Sequence, residues 1–195
     1  MSGSRRDLLR GAASLAAVGA GGLLLSACAA EPGALPREVR SMLADLGIRA
    51  RTVQEAVQAL DAHPGPRPLA LMASVQADRV VFDPEGRAIE VALPEDLFSL
   101  ALAPFRTQTH DCFFHSLGGC QGELADTAVH VEIVDEGGTV LVQEETTTGA
   151  NGFADFWLPR DVAGTITAAI GEETGSIPFA TTADAPTCLT GLQLS

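Results

Sequence analysis

Apolar positions change their spacing twice along the chain. Val39, Met42, Leu43 and Leu46 recur at three- and four-residue steps, the period of one helix face, and Gly47 supplies a left-handed stop. Thr52-Val53-Gln54-Glu55 has the form of a capping box, and behind it Val53, Ala56, Val57 and Leu60 repeat the helical spacing. His63-Pro64-Gly65-Pro66-Arg67-Pro68 then stops helix formation, because proline lacks the N–H and clashes with the preceding turn. The pattern predicts a helical hairpin, too small to hold a core of its own.

From Leu69 the period falls to two. Strands are expected over Leu69–Val75, Arg79–Phe82 and Ala88–Leu93, with Asp83-Pro84-Glu85-Gly86 as a turn. In Leu97–Ala103 the alternation of Phe98, Leu100 and Leu102 favours a strand, although Pro94-Glu95-Asp96 would also suit the start of a short helix. The second half alternates throughout. Val129, Val131 and Ile133 interleave with His130 and Glu132, and Asp135-Glu136-Gly137-Gly138 is a hairpin turn leading to a returning strand over Val140–Thr147. Asn151-Gly152 marks another turn before Phe153–Leu158, and Thr165–Ile170 and Ile177–Thr181 complete the set. The expected class is α+β: an N-terminal helical hairpin packed on a mainly antiparallel β body, with a β-sandwich-like C-terminal half. The segments divide as 1–27 export signal, 28–36 tether, 37–104 N-terminal α/β subdomain and 105–195 β-sandwich-like domain.

The leader is not part of that fold. Ser4-Arg5-Arg6-Asp7-Leu8-Leu9-Arg10 is a twin-arginine signature, and Gly11–Leu25 is too short and weakly apolar for a spanning helix. It ends in Leu25-Ser26-Ala27-Cys28, which fits a lipobox whose cysteine receives the lipid. The expected product is extracytoplasmic. It is anchored through Cys28 to the outer face of the cytoplasmic membrane, the periplasmic side in a diderm cell, and does not cross it.

Charge narrows the partners. Lys+Arg number 12 against 25 Asp+Glu, a net charge of −13, and every basic residue is arginine. A nucleic acid needs a basic face, so it is excluded as a partner. Cations, metal ions included, remain open.

The candidate chemistry lies in the cysteines. With Cys28 lipidated, Cys112, Cys120 and Cys188 remain, an odd number for an exported chain. His110, Cys112, His115 and Cys120 fall within one short segment, where Gly118-Gly119 lets the chain bend. Three readings stay open. Cys112 and Cys120 can close a loop as a disulfide with Cys188 buried and inert. A zinc site is possible, although the spacing is not that of a finger or ribbon. Or the group is a soft-metal or redox site: thiolates select Cu(I), imidazoles accept Cu(II), and a dithiol yields two electrons on becoming a disulfide. The absence of a C-x-x-C motif counts against a protein thiol–disulfide oxidoreductase. His130 reads as a sheet residue and His63 as structural at a helix end. Asp111 and Glu123 are solvated carboxylates or acceptors that orient histidines, and Phe113, Phe114 and Trp157 read as core.

Longer motifs carry a resemblance. Ala103-Pro104-Phe105, then Thr109-His110-Asp111-Cys112-Phe113-Phe114-His115-Ser116-Leu117-Gly118-Gly119-Cys120-Gln121-Gly122-Glu123-Leu124, resemble the signature of CueP-like copper-binding proteins. Asn151-Gly152-Phe153, Trp157-Leu158-Pro159-Arg160-Asp161 and Pro186-Thr187-Cys188-Leu189-Thr190 follow in the same order, so the likeness runs from about residue 35 to the end. The resemblance implies a periplasmic protein of copper tolerance. It implies Cu(I) held by Cys112, Cys120 and Cys188 with His110 and His115 nearby, and reduction of Cu(II) on the three cysteines as a cupric reductase. It also implies a thiol reductant or a copper-accepting client as partner. The lipoprotein leader departs from the family type and restricts partners to those near the membrane. The alternative is a non-catalytic, disulfide-stapled β-sandwich lipoprotein acting as a binding or assembly module.

Overall fold

Helix α1 (Arg37–Asp45) starts after Pro36 and ends in a Schellman motif: Gly47 has φ +75°, its N–H donates to Ala44 O at 2.9 Å, and Ile48 N–H donates to Leu43 O at 2.9 Å. Helix α2 (Val53–Asp61) carries the expected capping box, with Thr52 Oγ1 accepting from Glu55 N and Glu55 Oε2 accepting from Thr52 N, both at 3.3 Å. The computed structural model describes residues 33–195, Glu85 excepted. The export signal 1–27, Cys28 and the first part of the 28–36 tether lie outside the described residues. Among those described, no helix is long and apolar enough to cross a membrane.

Eleven strands follow: β1 (Met72–Val75), β2 (Arg79–Asp83), β3 (Ile89–Ala92), β4 (Leu97–Leu102), β5 (His115–Ser116), β6 (Ala128–Asp135), β7 (Val140–Thr147), β8 (Ala154–Pro159), β9 (Ala163–Ile170), β10 (Glu173–Ala180) and β11 (Cys188–Leu189). They form three sheets, ordered β3-β2-β1-β5, β10-β9-β6-β7 and β11-β4-β8. Pairing is antiparallel except that β11 runs parallel to β4. The described residues are mostly β with two short helices, an α+β protein.

Two cores result. Leu43 of α1 and Val57 and Leu60 of α2 pack with Val75, Val80 and Phe82 of the first sheet. Phe98, Leu100, Phe156 and Leu158 of the third sheet share a second core with Val129, Val131, Ile133 and Ile166 of the second. Each fully buried side chain of this kind contributes about 1.5–3 kcal/mol. In β6 the alternate residues Val129, Val131 and Ile133 are buried, which leaves His130 on the outer face, where Nδ1 lies 3.1 Å from Glu145 Oε1. Strand exchange links the two halves of the chain. β4 joins the later strands β8 and β11, while β5 from the cysteine-rich segment adds to β1.

Candidate metal centre

Apart from these cores there is a small third cluster of Ala101, Ala103, Cys120, Phe153 and Cys188, with Cys112 against it. The backbone brings the sulfurs together. Cys188 sits in β11, which is registered on β4 by the pairing Cys188↔Ala101. The amides of Thr187 and Cys188 donate to Phe113 O at 2.9 and 3.3 Å. Thr187 Oγ1 donates to Val75 O at 2.6 Å and accepts from His115 N at 3.0 Å. One threonine thus joins the C-terminal segment, β1 and the histidine. At the other end Thr109 Oγ1 donates to Thr190 O at 2.6 Å.

Cys120 is placed by a tight turn in which its N–H donates to Ser116 O at 2.9 Å and its Sγ accepts from Ser116 N at 3.4 Å. The neighbouring glycines act through close approach, not left-handed geometry. A Cβ on Gly118 would stand 2.6 Å from Leu71 O, and one on Gly119 would stand 2.9 Å from Ser116 Oγ.

All three cysteines of the described residues are free thiols, two buried and Cys112 half-buried. Cys112 Sγ lies 3.5 Å from Cys120 Sγ, and Cys188 Sγ lies 3.5 Å from His115 Nδ1. Ligand atoms within 4.8 Å of one another form two triads of thiol and imidazole: His110, Cys112 and Cys120, and His115, Cys120 and Cys188. All five residues predicted from the cysteine-rich segment and Cys188 therefore meet at one place. Two surface depressions flank it. One of about 600 Å³ reaches Cys112 and Cys188, and one of about 510 Å³ reaches His110, Cys112 and Cys120.

Electrostatics distinguish the thiols. A hydrogen bond from the Cys188 thiol pulls Cys120 far below the ordinary thiol range, against the effect of burial and with help from His115. That hydrogen bond and burial push Cys188 up correspondingly. Burial raises Cys112. Cys120 is thus the natural thiolate of the group, and thiolate is the ligand form.

His115 depends on a residue that sequence spacing does not reveal. Its Nε2 lies 2.9 Å from Asp61 Oδ1, at the last residue of α2, and Asn151 Nδ2 donates to the same oxygen at 2.8 Å. Burial opposes a charge on His115, but the Asp61 carboxylate outweighs it and raises the imidazole to about 10. With Nε2 turned to Asp61, Nδ1 faces the sulfurs, the carboxylate–histidine arrangement that orients metal ligands. Burial, then the nearby Asp61, raises Asp155 well above the ordinary carboxylate range. Arg67 reaches into this region, donating to Leu60 O at 3.0 Å and Asp61 O at 3.1 Å.

Other expected residues stand elsewhere. Glu123 accepts from the amides of Arg106 and Thr107 at 2.6 and 2.9 Å, so it holds a loop and orients no histidine. His63 accepts from Gly65 N at 3.0 Å through Nδ1, a structural role. Phe113 and Phe114 are not core: they are 52% and 41% exposed and pack edge to face with centroids 4.9 Å apart. The Phe113 carbonyl turns inward to bind β11, which leaves its ring outside.

Fold and cluster define a class, an α+β protein with a buried thiol–imidazole group suited to a soft metal. Residues 55–193 match the family model of the periplasmic copper-binding protein CueP, and the chain belongs to that family. The solved structure "Crystal Structure of S.CueP" is 36% identical, with a TM-score of 0.77 over 83% of this chain and 100% of that one. Curated protein sequences give no match. A periplasmic family agrees with an extracytoplasmic location.

Proposed function

We propose that this chain binds copper outside the cytoplasm in the service of copper tolerance. Cys112, Cys120, Cys188, His110 and His115 are the ligands. The chain reduces Cu(II) to Cu(I) on its thiols. The observation that carries the reading is the convergence of three free thiols and two imidazoles in two triads within 4.8 Å. Family membership supports copper as the metal. Thiolates prefer Cu(I) and the imidazoles also take Cu(II), so both oxidation states find donors.

The thiol pair Cys112 and Cys120, 3.5 Å apart, is the dithiol for reduction. The Cys112 thiol and the Cys120 thiolate become one disulfide and release one proton, and the two electrons convert two Cu(II) to two Cu(I). An external thiol reductant must then supply two electrons and one proton to reopen the bridge as the Cys112 thiol and the Cys120 thiolate. The lipid anchor at Cys28 confines that reductant, and any client that accepts copper, to the neighbourhood of the membrane.

The test is anaerobic addition of Cu(II) to the reduced protein, following Cu(I) with a chromogenic chelator while counting free thiols. The expected result is Cu(I) appearing in step with thiol loss, abolished in Cys112→Ser and Cys120→Ser. Thiols that stay silent, with copper bound no better than to any acidic surface, would leave the disulfide-stapled binding module as the better account.

A further inference from the structure

We propose that the centre consists of two overlapping copper stations, and that Cu(I) passes from the outer to the inner one while remaining bound to Cys120. The inference rests on the copper reading above and specifies how that site works. Each triad holds two sulfurs and one imidazole, and Cys120 alone belongs to both. Two sulfurs and a nitrogen are a sufficient donor set for a soft monovalent ion.

The stations differ in access. The outer one, His110–Cys112–Cys120, comes from a single short segment and includes the half-buried Cys112. His110 Nε2 is buried with no hydrogen-bond partner among the described residues, a polar atom otherwise left without compensation. The inner station is the less exposed: Cys188 is 2% exposed and His115 1%, although Cys188 lines the wall of the larger depression beside Cys112 and His110. It is also braced, His115 by Asp61 and β11 by the Phe113 carbonyl. The half-buried Cys112 and His110 are therefore the more accessible ligands to an ion from solvent.

The transfer is a ligand exchange. The Cu–Sγ bond to Cys112 and the Cu–N bond to His110 break, while bonds to Cys188 Sγ and His115 Nδ1 form. Cys120 Sγ stays bound throughout, and copper remains Cu(I), so no electron moves. The Cys188 thiol proton passes to the freed Cys112 thiolate, and where His115 Nδ1 carries a proton it leaves to solvent.

The experiment uses the reduced full chain without oxygen, with Cu(I) delivered from a chromogenic chelator whose colour reports uptake and release. Cys112→Ser is expected to slow uptake at least about tenfold, whereas Cys188→Ser is expected to speed release to the chelator at least about tenfold. X-ray absorption on the copper-loaded wild type is expected to show two sulfurs and one nitrogen, and it needs no variant that must fold. A shell of three sulfurs, or equal losses of uptake and retention in both variants, would overturn the two-station scheme and leave the copper reading intact. A wild type that retains no Cu(I) against the chelator would overturn both.

Discussion

Asp61 shows how a residue remote in sequence governs the centre. It accepts hydrogen bonds from His115 and Asn151 through one oxygen while 3% exposed. Asp61→Ala strands two buried donors at about 1–3 kcal/mol each. The expected loss is about 2–6 kcal/mol in denaturant unfolding of the metal-free protein, with Cu(I) affinity weakened about 10- to 100-fold in chelator competition. An unchanged affinity would mean that His115 needs no orientation. The cysteines and histidines were legible from their crowding between His110 and Cys120, and Cys188 from its motif. Asp61 was not, because it lies 54 positions from His115 and only the fold joins them. One local sign existed: an acidic residue in the last turn of α2 faces the negative end of the helix dipole, an unfavourable place that calls for a partner.

At the level of elements, legibility followed the strength of the period. The capping box of α2 and the alternation of β6 were plain in the residues and are present in the fold. The two-residue strands β5 and β11 have no period to read, yet they carry His115 and Cys188. β10 begins at Glu173 instead of Ile177 because its pairing to β9 continues through polar, half-exposed positions. Turns with a steric requirement were legible as composition, though not in their consequence. Gly152 has φ +79°, and a Cβ there would lie 2.6 Å from Gly122 O. Gly152→Ala is therefore expected to cost more than about 2 kcal/mol, seen as a lowered Tm and a disturbed Cys120 environment. Glu123 gives a second test of an element. Its carboxylate accepts from the Thr107 hydroxyl and from the amides of Thr107, Arg106 and Gln108, which lowers its pKa from 4.5 to about 2. A depressed folded pKa means that the stabilising contribution is complete above about 4.5 and disappears as pH falls through about 2. Amide exchange of residues 106–108 should rise over that acid window relative to the rest of the molecule, and in Glu123→Ala it should already be fast at neutral pH.

For the whole molecule, the arrangement of ligands in the chain decides how much copper stabilises the fold. The outer station ties together only His110, Cys112 and Cys120, a segment already closed by the Ser116–Cys120 turn. Metal there restrains little of the unfolded chain. The inner station ties His115 and Cys120 to Cys188 in β11, whose neighbours Leu189, Leu192 and Leu194 belong to the second core, while β5 belongs to the first sheet. Its closure spans a long loop and joins two sheets, and longer closures remove more conformational freedom from the unfolded state. A ligand that binds only the folded chain adds RT ln(1 + [L]/Kd), about 4 kcal/mol at a thousandfold excess over Kd. Cu(I) should therefore raise the Tm of the wild type and of Cys112→Ser by several degrees. In Cys188→Ser the rise should nearly vanish, although that variant still takes up the ion. Calorimetry of the three proteins with and without one equivalent of Cu(I) measures this directly. An equal rise in all three would place the stabilising copper in the outer segment and make the link between the sheets independent of the metal.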